Sequence, residues 1–183
     1  MALLKTIIQS LDHFAAGIGR LAAWLSVLMV LVTCYIVVTR YAFNQGSIAI
    51  QESVIYLNSM LFMLTAAFTL QQNGHVRVDI FYGRGSPVLR AWVDLLGSIF
   101  LLLPVCLFIV WASWDYVMAS WNIREQSGEA GGLPWVYLLK SLILVMGATL
   151  IMQGAAEILR NFSVLFLEHK APPAPGSQDD SAL

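Results

Sequence analysis

The chain has 183 residues, 58% of them hydrophobic and 11% charged, with a mean hydropathy of +0.73. A soluble domain carries about a quarter charged residues, so the composition excludes one and places the chain in lipid. The net charge of −1 supplies no concentrated basic face, which excludes nucleic acid as a partner.

Residues 1–19 set Leu4, Ile7, Ile8, Leu11, Phe14, Ala15 and Ile18 at the spacing of one helical face, which predicts an amphipathic helix lying on the membrane surface. A cleaved signal peptide is not expected, because the next apolar run is long enough to span and lacks a small-residue cleavage site. Four apolar runs follow: Leu21 to Thr39, Ser53 to Leu70, Leu95 to Trp114, and Leu133 to Ala156 with Lys140 inside it. A helix crosses a hydrocarbon core of ~30 Å with ~20 residues. None of the runs alternates with period two, and backbone groups in lipid must be satisfied within the segment, so all four are read as helices.

With their flanks, the spans cover about 21–42, 50–71, 88–120 and 133–159 of a transmembrane domain at 20–160. The third should approach ~50 Å at 1.5 Å per residue. Pro104 inside it lacks the amide that would bond the Phe100 carbonyl, predicting a kink. Residues 161–183 form a C-terminal segment whose polar, proline-rich end, Ala171 to Leu183, is expected to be disordered.

The fold class is thus an all-α membrane protein of four transmembrane helices plus an N-terminal interfacial helix. With the N-terminus inside, Lys5, Arg20, Arg77, Arg84, Arg90, Arg160 and Lys170 lie on the cytoplasmic side, against Arg40, Arg124 and Lys140 outside. That asymmetry predicts two cytoplasmic termini. Trp24 and Trp92 then mark the inner interface, and Trp111, Trp114, Trp121 and Trp135 the outer one.

No catalytic centre, metal site or cofactor site is expected. Cys34 and Cys106 sit singly in apolar runs, where a thiol acts as a small hydrophobe. A haem between spans needs imidazoles inside them, yet His13, His75 and His169 all fall outside. Glu52, Asp94, Asp115 and Glu157 lie at helix ends, where water is near, rather than in a buried ion path. Lys140, two turns into the fourth helix, is expected to snorkel outward or to pair with Glu129 or Asp115.

Gly147, Ala148, Gly154 and Ala155 form a small-residue stripe for close helix packing, and Asn58, Thr65 and Thr69 form a polar one. The outer connection runs from Arg40 and Asn44 to Gln51 and Glu52, with Arg40 and Glu52 placed to pair across it. The inner connection sets His75, Arg77 and Asp79 on one side of an extended segment, a pinned loop or docking surface.

Taken in this order, Arg40-Tyr41-x-Phe43-Asn44, Gln51-Glu52 and Gly74-His75-Val76-Arg77-Val78-Asp79 resemble the small membrane subunit, the DctQ-type or Q subunit, of tripartite ATP-independent periplasmic (TRAP) transporters. Ser127-Gly128-Glu129 and Gly131-Gly132-Leu133-Pro134 followed by Lys140 resemble one subgroup of it. Many members carry Trp-x-Glu-Glu where this chain has Ile48-Ala49-Ile50-Gln51-Glu52-Ser53, so roles of that Trp and second Glu do not carry over.

The resemblance implies sodium-driven uptake of an organic acid, such as a 2-oxo or 2-hydroxy monocarboxylic acid, in the bacterial inner membrane. A periplasmic binding protein and a large membrane subunit are the implied partners, alongside membrane lipids, with this chain a scaffold. The outer loop Asn122 to Leu133, with Arg124, Glu125 and Glu129, is the expected docking surface for the binding protein. The absence of a phosphate loop and of broken, Gly-rich half-helices accords with a non-transporting subunit. A self-sufficient oligomeric transporter or channel and a redox-complex anchor are the alternatives.

Overall fold

A computed structural model describes residues 2–72, 74 and 86–168. Within it the chain forms α1 (Ala2–Phe43), α2 (Ile48–Gln71), α3 (Pro87–Gly97), a π-helical turn (Ser98–Leu102), α4 (Leu103–Asn122), α5 (Val136–Ser163) and a closing π turn (Val164–Glu168). No strand occurs among the described residues. Four helical stretches are long and apolar enough to cross a membrane: Thr6–Phe43, Ile48–Gln71, Val88–Asn122 and Val136–Phe166.

Two details refine the expectations. The N-terminal segment is helical but is not a separate element: α1 runs unbroken through its 42 residues, about 63 Å at 1.5 Å per residue. Gly17 and Gly19 do not interrupt it. Phe68 of α2 occupies the space beside Gly19, where a Cβ would lie 2.6 Å from its ring, so that glycine serves a close helix approach rather than a break.

In the third span, where a kink is expected at Pro104, a π turn precedes the proline, closed by a bond from the Leu103 N–H to the Ser98 carbonyl. Widening the turn accommodates the proline ring and the bond its missing N–H cannot make. At the start of this span, Ser86 caps α3 by accepting from the Leu89 N–H at 3.2 Å, with Pro87 in the first turn where no amide is needed.

α5 is the central element and packs against α1, α2, α3 and α4, while α1 and α2 pack on each other. The core is built mainly from small residues: Ala15, Ala22, Ala67, Ala91, Cys106 and Ala156 are buried, with Gly147 and Gly154 on α5, and Tyr56, Leu95 and Val117 are the larger apolar residues among them. Most large apolar side chains point outward, Trp111 at 75% exposed, Trp24 at 74% and Phe62 at 73%. This inversion of a soluble core follows from the solvent, since lipid gives no drive to bury leucine but rewards backbones that approach closely.

Gly147 and Gly154 make that approach to the third span of the same chain. A Cβ at Gly147 would overlap Val110, and one at Gly154 would sit 2.9 Å from Leu102 Cδ2. The two glycines therefore lie on an internal seam, while Ala148 beside them is exposed.

Candidate functional site

Polar side chains gather at the two ends of the bundle. The loop end carries the α1–α2 connection and the 123–135 connection, and the tail end carries the N-terminal half of α1 and the C-terminal half of α5.

At the loop end, α4 stops in a Schellman turn. Arg124 takes the left-handed conformation (φ 49°), its N–H bonds the Trp121 carbonyl at 3.2 Å, and the Glu125 N–H reaches the Ser120 carbonyl at 3.0 Å. This turn aims Arg124 over the rings of Trp121 and Tyr137, 5.5 and 5.4 Å from their centroids. The two rings meet edge to face, and Trp121 Nε1 donates to Ser141 Oγ at 2.7 Å.

Glu125 pairs with Lys140, whose ammonium also lies 4.1 Å from the centroid of Tyr116. The expected partners of Lys140, Glu129 and Asp115, are thus replaced by Glu125. The Schellman turn explains the choice, because it folds Glu125 back onto the first turns of α5. The Lys140 ammonium holds the Glu125 carboxyl below its ordinary value.

Glu52 does not pair with Arg40. It crosses to the long loop instead, accepting from Ser127 Oγ and, at 2.6 Å, from the Leu133 N–H. The loop is also closed by Ser127 N–H to the Leu133 carbonyl at 3.1 Å and Gly132 N–H to the Glu129 carbonyl at 3.0 Å. Gly132 has to be glycine, since a Cβ there would lie 2.5 Å from Ser127 Oγ and 2.8 Å from Glu52 Oε1. Gly131 supplies a left-handed φ of 82°.

Arg40 instead lines an open recess of about 460 Å³ with Asn44, Gln45, Gly46, Ile48 and Gln51. Asn44 ends α1 in the left-handed conformation (φ 50°), which asparagine adopts more readily than most residues.

The tail end was not legible as a site. Asp12 accepts from Arg160 through both carboxylate oxygens, at 3.0 and 2.9 Å, and from Gln153 Nε2 at 3.1 Å. Arg160 bonds Glu157 at 2.6 Å, and Gln71 Nε2 donates to the Asp12 carbonyl at 2.9 Å. Gln153 is 2% exposed, the largest polar group in the core. A signal was present: Asp12 interrupts an apolar face, and Gln153 and Arg160 lie seven residues apart on one stripe of α5.

Of the remaining candidates, Asn58 is exposed at the middle of α2, apart from both ends. Thr65 bonds its own helix at the Leu61 carbonyl, so the two do not act together. Glu129 is exposed in the loop. His75, Arg77 and Asp79 lie outside the described residues, as do His169 and the segment 169–183.

No curated protein and no solved structure matches the chain. The family described as "Tripartite ATP-independent periplasmic transporters, DctQ component" matches residues 29–164, which hold the second and third spans, nearly all of the fourth, the C-terminal part of the first and the whole loop-end constellation. The four-span architecture and the family match together establish that this chain belongs to the DctQ component family of TRAP transporters.

Proposed function

We propose that the chain is the static scaffold of a sodium-driven TRAP transporter for an organic acid, with its loop end in the periplasm and both termini in the cytoplasm. It holds the large membrane subunit in place and presents the 123–135 loop to the periplasmic binding protein. The observation carrying this reading is the pairing of the charges on the central helix α5, Lys140 with Glu125 and Arg160 with Asp12 and Glu157, around an interior rich in alanine and glycine. Such an interior supports a packing role over an ion path, where unpaired intramembrane carboxylates would be needed.

Within the docking loop the three charges differ. Arg124 is stacked on aromatic rings and Glu125 is tied to Lys140, leaving Glu129 as the carboxylate turned to solvent. The chain alone in liposomes, with binding protein outside and a sodium gradient, is expected to move no organic acid. Uptake without the large subunit would overturn the scaffold role. Glu129→Lys is expected to weaken engagement of the binding protein while leaving the loop folded, and unchanged engagement would remove Glu129 from the docking surface.

A further inference from the structure

Asn58 is the eleventh residue of the 24 in α2, about 15 Å from its loop end, which puts it near the centre of a ~30 Å hydrocarbon core whichever side faces out. It is exposed, and among the described residues its amide makes no hydrogen bond. Threonine hydroxyls in three of the spans behave otherwise. Thr33 donates to the Met29 carbonyl at 2.8 Å, Thr65 to Leu61 at 2.6 Å and Thr149 to Val145 at 3.0 Å, each satisfied by its own helix. An asparagine amide offers two N–H donors and an acceptor, and hydrocarbon satisfies none of them.

The position is not isolated. Gln51, Ile55, Asn58 and Phe62 are exposed along one stripe of α2, spaced by four, three and four residues. At its loop end the stripe enters the recess that Gln51 shares with Arg40 and Asn44, and Arg40 makes no ion pair among the described residues. Unpaired polar groups thus run from the rim of the bundle to mid-depth.

We infer that this track seats a transmembrane helix of the large membrane subunit, one that brings a carboxylate to Arg40 and a hydroxyl or amide side chain to Asn58. The inference rests on the scaffold reading above and names the face that performs it. A lipid can offer a phosphate to Arg40 at the rim but nothing polar at the depth of Asn58. A second copy related by a two-fold axis along the membrane normal would set Arg40 against Arg40 at the same depth, two like charges without a counterion. A helix of different sequence meets both demands at once.

The test uses the whole transporter, co-expressed with a tag on this chain. A benzophenone amino acid placed at Ile55, Asn58 or Phe62 is expected to form adducts with the large subunit, and one placed at Phe108 or Trp111, exposed on the third span, is not. Separately, Asn58→Leu is expected to weaken retention of the large subunit in detergent about threefold to tenfold, the size of one interhelical hydrogen bond, and Asn58→Gln to restore most of it. Adducts from the third-span positions instead, adducts joining two copies of this chain, or lipid adducts alone, with the large subunit still co-purifying, would overturn the seat and leave the scaffold role standing. A tagged chain that retains no large subunit would overturn both.

Discussion

The two ends of the bundle are each closed by a half-buried ion pair, yet they hold different things. At the loop end, Glu52 and the Lys140–Glu125 pair fix the shape of one connection, and the partners of that pair are only 15 residues apart. At the tail end, Asp12 and Arg160 join the first and last helices across 148 residues and so fix the order of the helices themselves. The family match also divides them, since it includes every residue of the loop-end set and begins after Asp12. The loop-end set thus lies wholly inside the matched region, and the tail-end clasp draws one partner, Asp12, from outside it.

The comparison breaks most readily at Glu52. Replacing it with Ala leaves the Leu133 N–H and the Ser127 hydroxyl without their acceptor, the largest loss of stability expected of these changes. The unfolding midpoint in detergent should fall and protease should cut within 123–135, while a protected loop would mean that the backbone bonds alone hold it. Asp12→Ala should cost less, about 1–2 kcal/mol, because Arg160 keeps Glu157 as a partner. Here the loop should stay protected, and the effect of Asp12→Ala should largely vanish in an Arg160→Ala background. Full additivity of the two would show that the clasp is not a unit.

Acid tests the ion pair of the loop end. The Glu125 carboxyl is held below its ordinary value of 4.5, so its contribution is complete above that value and disappears as pH falls through the lowered one. The unfolding midpoint should therefore lose a Glu125-dependent part only below about pH 4.5, and Glu125→Gln should lack that part at every pH. A difference between the two proteins that persisted unchanged into stronger acid would remove the ion pair as its source. The smallest effect belongs to Arg124→Ala, which gives up two exposed cation–π contacts worth about 0.5–1 kcal/mol together. A near-neutral unfolding midpoint with a shift in Trp121 fluorescence is the expected outcome.

What the amino-acid sequence reveals follows the range of the interactions. Spans are legible because twenty apolar residues in a row mean one thing in lipid, and the disturbance at Pro104 because a missing amide acts within one turn. The loop-end motif was legible as a set of residues, Glu52 and Ser127 to Pro134 among them, but not as pairings. Arg40 and Glu52 look like partners across a short connection until Gly132 opens the space for Ser127 to reach the carboxylate. Lys140 could be matched to any nearby carboxylate, and a single left-handed residue, Arg124, decides for Glu125. The tail end escaped because nothing local relates Asp12 to Arg160. Their meeting depends on α1 continuing unbroken where a separate surface helix is expected from the pattern of residues 1–19.

That continuity has a geometric consequence. In a helix of 42 residues with no break, every side chain keeps a set angle to every other, so the direction in which Asp12 points is decided by the same rod that ends at Asn44. One residue inserted between Gly19 and Ala22 would turn everything before it by about 100° and carry Asp12 to another side of the rod. The first helix is in this sense an indexing shaft: its register at the wall of Phe68 determines whether the clasp at the far end can close.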